Sequence, residues 1–149
     1  GGVMGCRTRF FKSPEFAAKK EVKSMAAEHK HAFGVEPNDM GYPDMGCGRY
    51  ADQLSYEQWV EINNAQRAHY NMVESSGPVL ASMALGGLIL PRVCAGLGLA
   101  YAVARFLYAQ GYNSKKGADG RMVGAAMGAL STLGLFGICI AMGLHKAIV

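Results

Sequence analysis

The feature that most limits how this chain can fold is Met122–Leu144, 23 consecutive residues without a charge. As a helix this stretch is roughly 35 Å long, more than the ~30 Å hydrocarbon core of a bilayer. Two further apolar stretches precede it. Ser75–Leu90 is uncharged, Pro91-Arg92 interrupts, and Val93–Asn113 carries Arg105 as its only charge. From Ser75 to Val149 the one acid is Asp119. Three such helices in series leave too few polar residues to cover them in water. The pattern therefore predicts three membrane spans and an all-α integral membrane bundle rather than a soluble domain.

The first half of the 149 residues has a different character. Arg7–His31 is rich in Ala, Lys and Glu and reads as an amphipathic interfacial helix, whereas Phe33–Leu54, dense in Gly, Pro, Asp and Asn, reads as loop. Residues 1–54 are accordingly a basic extension and residues 55–149 the membrane domain. Ser55 followed three residues later by Gln58 forms a capping box, which starts a helix near Tyr56. Pro91 ends that helix and opens the next. The expected helices cover about 56–90, 92–112 and 121–147. Neither an initiator Met nor a signal-peptide pattern opens the chain, and Gly1–Gly5 reads as the tail of an apolar segment, so an upstream piece is expected. Cys6, Cys47, Cys94 and Cys139 lack metal or redox spacing and read as structural. The histidines suggest solvated or capping roles, so no metal is expected, and no nucleic-acid partner is expected either.

A short turn at Pro91 makes the flanking helices antiparallel, so residues equally far from it share a depth. On that basis Glu74 and Tyr108, each 17 residues from Pro91, face one another roughly 25 Å from the turn. Lys115, Lys116, Arg121 and the bases from Arg7 to Arg49 fall on that side, leaving Arg92 and Lys146 opposite. The positive-inside rule makes the basic side cytosolic or its organellar equivalent.

Two polar stripes converge there. Arg67, Asn71 and Glu74 are spaced i, i+4, i+7 on the earlier helix, and Arg105, Tyr108 and Tyr112 are spaced i, i+3, i+7 on the later one. Ionisable groups at this depth cost a few kcal/mol unless paired or wet, so they mark a site or an ion-pair network. Two readings stand side by side. One is a pocket for a zwitterionic, carboxylate-bearing ligand. The other pairs Arg67 and Glu74 with Arg105 to lock helices together and assigns the tyrosines to an interfacial belt. Gly120, Gly124 and Gly128, with Gly134, Gly137 and Gly143 beyond, give the last helix a face suited to close contact within or between subunits.

The run Asn64-Ala65-Gln66-Arg67-Ala68-His69-Tyr70-Asn71-Met72-Val73-Glu74 resembles the signature that opens the second helix of the MAPEG family (membrane-associated proteins in eicosanoid and glutathione metabolism). A second run, Pro91-Arg92-Val93-Cys94-Ala95-Gly96-Leu97-Gly98-Leu99-Ala100 followed by Ala104-Arg105-Phe106-Leu107-Tyr108-Ala109-Gln110-Gly111-Tyr112, resembles the family's third helix. Among its members the likeness is nearest to the type 3 microsomal glutathione transferases. Together the runs place the resemblance over about Ser55 to Val149. It implies a four-helix membrane bundle whose first helix would precede Gly1, assembled as a homotrimer in an endoplasmic-reticulum or other organellar membrane, with glutathione bound between subunits.

By that resemblance Arg67, His69, Asn71 and Glu74 hold glutathione, and Arg105, Tyr108 and Tyr112 complete the cradle from an adjacent subunit. An arginine at the start of the fourth helix stabilises the thiolate. Arg121 is the match, and because the preceding loop differs in length, Lys115 and Lys116 are the alternatives. A guanidinium at a helix N-terminus lowers a thiol pKa from its ordinary ~8.5. The thiolate then attacks a lipophilic electrophile or hydroperoxide delivered from the membrane lipids. The implied activity is that of a glutathione transferase or peroxidase, with glutathione as co-substrate. Ser75 departs from the pattern, standing where several relatives have a ligand-contacting tyrosine. That departure, the missing first helix and the long Arg7–Leu54 segment motivate the alternative, a catalytically silent MAPEG-like subunit packed among unrelated membrane chains.

Overall fold

The computed structural model describes residues 2–148 and is all-helical. The chain divides into two compact units, with the division inside one long helix between Arg67 and Ala68.

The first unit contains α1 (Val3–Phe10), α2 (Pro14–Ala18), α3 (Lys20–Phe33), a 3-10 turn at Ala51–Gln53 and the opening of α4 (Tyr56–Gly87). The single interfacial helix expected over Arg7–His31 is instead three. Ser13 ends the first break, its hydroxyl accepting from the Phe16 N–H at 3.2 Å with Pro14 at the first helical position. That cap and proline favour a new start over continuation. Lys19 is extended, which separates α2 from α3. Nor does this segment keep an apolar face free for lipid. Cys6, Phe10, Phe11 and Phe16 bury themselves against Ile62 and Ala65 of α4.

The segment between α3 and α4 is pinned from within. Arg7, almost wholly buried, donates through Nη1 to the Met40 carbonyl at 2.8 Å and through Nη2 to the Asp44 carbonyl. Its guanidinium lies 4.1 Å from the centre of the Tyr42 ring. The Asp44 carboxylate accepts from the N–H groups of Gly46, Cys47 and Gly48 on Oδ1 and from that of Ala51 on Oδ2. One side chain thereby satisfies four backbone donors that a loop would otherwise leave to water. The Ser55–Gln58 capping box forms as expected: Ser55 N–H donates to Gln58 Oε1 at 3.1 Å, and Gln58 N–H donates to Ser55 Oγ at 3.3 Å.

The second unit contains the rest of α4, α5 (Pro91–Tyr112), a 3-10 turn at Gly117–Arg121 and α6 (Met122–Ile148). Pro91 takes the first position of α5, as expected. Among the described residues two helical segments, not three, are long and apolar enough to cross a membrane: Pro91–Tyr112 and Gly117–Ala147. α4 closes at Gly87 rather than near Leu90, which leaves Leu88–Leu90 to the turn and shortens the apolar part of that helix. Only 28% and 22% of the two apolar segments is buried within the chain. A soluble protein's core helix is covered by its own fold, whereas here Leu99, Phe106, Leu130 and Leu133 point outward. Such faces require a solvent other than water.

The helix pairing corrects the depth assignment. Arg105 bonds Asn71, and Ser75 bonds Tyr101. The first two lie 17 residues either side of Leu88 and the second two 13 either side. The centre of the hairpin is therefore Leu88, not Pro91. The turn lies wholly before the proline, and this offset moves the partner of the Tyr108 region away from Glu74 toward Ala68, which shares a buried cluster with Tyr108 and Tyr112.

Candidate functional site

The site is built by the approach of α6 to α5. Gly111 and Gly120 meet backbone to backbone, and a Cβ on Gly111 would overlap the Gly120 carbonyl. One turn on, a Cβ on Gly124 would overlap the Tyr108 backbone. Only hydrogen at these positions lets the chain reverse so tightly. The consequence is local and chemical: Arg121, at the boundary between the 3-10 turn and α6, is held beside the tyrosines of α5.

Arg121 Nη1 donates to the Tyr108 hydroxyl at 3.4 Å, and its guanidinium lies 5.3 Å from the Tyr112 ring centre and 5.9 Å from that of Tyr108. The two tyrosine rings are 5.6 Å apart, tilted at 43°, and each is 4% exposed. Arg105 also lies against Tyr108, its guanidinium 4.4 Å from the ring centre. Arg105 Nη2 donates to Asn71 Oδ1 at 2.7 Å. Its Nε is buried with no hydrogen-bond partner. Two guanidinium groups thus share one phenol, one over its ring and one at its hydroxyl, an arrangement favoured by cation–π attraction. The site is rich in donors and positive charge, suited to an anionic ligand.

Of the residues singled out in the sequence, Asn71, Arg105, Tyr108, Tyr112 and Arg121 come together. Glu74 and His69 are exposed on α4 and stand outside this cluster. Arg67 is the last residue of the first unit and is also exposed. Lys115 and Lys116, the alternatives to Arg121, are exposed in the loop. Among the described residues the ion pairs all lie in the first unit, so Arg105 is locked by an amide rather than by a carboxylate.

Sequence reasoning missed Tyr101. Its hydroxyl is 2.6 Å from Ser75 Oγ, and its ring is 5.9 Å from the Arg105 guanidinium. The signal was present, since Tyr101 stands four residues before Arg105 and continues the same stripe.

An all-helical bundle with outward apolar faces and an inward cluster of arginine and tyrosine defines a polytopic membrane protein with a buried polar cluster between its helices. Its family follows from a wider match: the model of the MAPEG family fits residues 20–141, most of the chain, and the protein belongs to that family. The match begins upstream of Ser55, where the two motifs alone placed it, and takes in α3 and the loop pinned by Asp44. No solved structure matches the chain.

Proposed function

We propose that this protein is a membrane-bound glutathione transferase or peroxidase, facing its basic side to the cytosol or the organellar equivalent. Membership of the MAPEG family supports a glutathione-linked activity. The observation that carries the reading is Arg121, a cation at the start of α6 and within reach of two buried phenols. A thiol brought there meets a guanidinium and the positive end of a helix, both of which favour the thiolate. Arg105 and Asn71 supply donors and an acceptor for the peptide, and Tyr108 and Tyr112 back the proposed ligand site.

In the transferase reaction the thiolate sulfur forms a bond to an electrophilic carbon, and the displaced group leaves with the bonding pair. In the peroxidase reaction the sulfur takes the terminal oxygen of a lipid hydroperoxide, releasing the alcohol. The sulfenate takes a proton from solvent, and a second glutathione converts the sulfenic acid to the disulfide with loss of water. Either substrate reaches the site from lipid along the exposed faces of α5 and α6. Assembly as a homotrimer adds Arg67, His69 and Glu74 of a neighbouring copy, which accounts for their exposure in a single chain.

The test separates binding from activation. Arg121→Ala is expected to cost about a hundredfold in turnover and to abolish the thiolate absorbance of bound glutathione, with affinity little changed. Arg67→Ala is expected to do the reverse. Equal loss of both properties from either change contradicts these roles. Purified protein that neither binds glutathione nor consumes any electrophile or hydroperoxide, or that is isolated as one copy among unrelated membrane chains, removes the reading.

A further inference from the structure

Ser75 and Tyr101 form a contact that the proposed activity does not use. Tyr101 is buried, at 9% exposure, and a buried phenol needs a partner for its hydroxyl. Ser75 Oγ lies 2.6 Å away. The same Oγ lies 2.6 Å from the Asn71 carbonyl, one turn back on α4. A serine hydroxyl has one proton, and a carbonyl can only accept, so that proton belongs to the Asn71 carbonyl. The phenol must then donate and Ser75 accept. The proton order is fixed from end to end: Tyr101 to Ser75 to the Asn71 backbone.

Asn71 is also the residue whose side chain accepts from Arg105 Nη2 at 2.7 Å. Both faces of Asn71, backbone and amide, are therefore tied to α5, one through Tyr101 and one through Arg105. These ties lie four residues apart on each helix and set the height and rotation of α5 against α4. Arg105 keeps a buried Nε without a partner. With Nη2 committed to Asn71, the setting of the whole guanidinium depends on where Asn71 is held.

We propose that Ser75 and Tyr101 are a positioning pair for the ligand site, fixing the register of α5 against α4 so that the Arg105 guanidinium is held on Asn71 beside Tyr108. The pair touches neither sulfur nor electrophile and acts only through Asn71 and Arg105. This inference rests on the glutathione reading above and names the residues that tune its affinity. Replacing Ser75 by alanine removes the relay while leaving Tyr101 in place. Tyr101→Phe removes one oxygen and keeps the ring against Arg105. Either change lets Arg105 drift without emptying the core.

The experiment uses the full chain in lipid nanodiscs, titrated calorimetrically with S-methylglutathione, which has the peptide but no free thiol. KM and kcat for glutathione are measured in parallel against a chloronitrobenzene electrophile. Tyr101→Phe and Ser75→Ala are each expected to weaken binding about fivefold, the size of one neutral hydrogen bond, with kcat unchanged. The double variant is expected to lose no more than either single one, because the two act in series. Ser75→Thr, which keeps the hydroxyl, is expected to retain wild-type affinity. Unchanged affinity in Tyr101→Phe, or a fall in kcat at constant affinity, overturns the positioning role. Should Ser75→Ala fail to fold, Tyr101→Phe and Ser75→Thr decide the matter. If the wild-type protein does not bind S-methylglutathione, the glutathione reading fails and this inference fails with it; if it binds and the variants match it, only this inference fails.

Discussion

In the first unit Phe10, Phe11 and Phe16 form an apolar core, and Arg9–Glu61, Lys12–Asp39, Lys30–Glu36 and Arg49–Glu28 pair on the surface, with Arg7 and Asp44 the buried exceptions. In the second unit large apolar side chains take the surface. Leu99, Phe106, Leu130 and Leu133 face outward, and Arg105 and Arg121 turn inward onto Tyr108. Each arrangement is the low-energy one for its own surroundings, water for the first and hydrocarbon for the second. The comparison also shows how each unit treats a charge that leaves solvent. Asp44 is surrounded by backbone donors and serves structure, whereas the arginines of the second unit are met by ring faces and one amide, which leaves donor capacity for a ligand.

Substitutions that act on one unit and spare the other test this contrast. The largest effect is expected from Gly124→Val. A side chain there collides with the Tyr108 backbone, and separating the helices costs about 3 kcal/mol. The thermal transition in detergent should fall and the proposed glutathione turnover should vanish with it, while amide exchange in residues 3–33 stays as in wild type. Exchange that accelerates equally in both units would break the contrast.

Next comes Asp44→Ala, which strands four N–H donors and costs about 2 kcal/mol. Limited proteolysis should then cut between Gly34 and Ser55, with α5 and α6 still protected. A smaller effect concerns the thiols of the first unit. Burial, then the Glu61 carboxylate, pushes the Cys6 thiol up, so it stays protonated. Its share of stability is present at neutral pH and is lost as pH rises past the ordinary thiol value toward the raised one. Cys6 should react with iodoacetamide about tenfold more slowly than exposed Cys47 at pH 8, as read by mass spectrometry.

The smallest effect is at the surface. The Arg49 hydrogen bond and charge hold the Glu28 carboxyl below the usual carboxylate range. Its contribution is present above the ordinary carboxylate value and lost as pH falls through the lowered one. Arg49→Ala should move the Glu28 titration up by nuclear magnetic resonance and leave the melting temperature unchanged, because an exposed pair is screened.

Features fixed by short-range chemistry were legible in the sequence. The Ser55–Gln58 cap, the start of α5 at Pro91 and the uncharged length of α6 each depend on neighbours within a few residues. Arg121 was singled out through the family resemblance, and the fold places it at the start of α6 beside Tyr108. The pairing of α4 with α5 was not, because it depends on where the bend is centred, and Leu88–Leu90 has the same apolar character whether it ends a helix or forms a turn. Arg7 was counted only among the bases of the extension, since nothing in its neighbours announces two carbonyls and a tyrosine ring thirty or more positions away. The Ser75–Tyr101 contact was hidden for the same reason as the register that creates it.

The bend from Leu88 to Leu90 sets more than a change of direction. Each residue of an α-helix advances the side chains by about 100°. Adding or deleting a single position within α4 after Ser75 or within α5 before Tyr101 would rotate Arg105 away from Asn71 and carry Tyr108 and Tyr112 with it. The helical stretches on either side of the bend are therefore fixed in length, and the three non-helical residues between them are where a change of length can be absorbed.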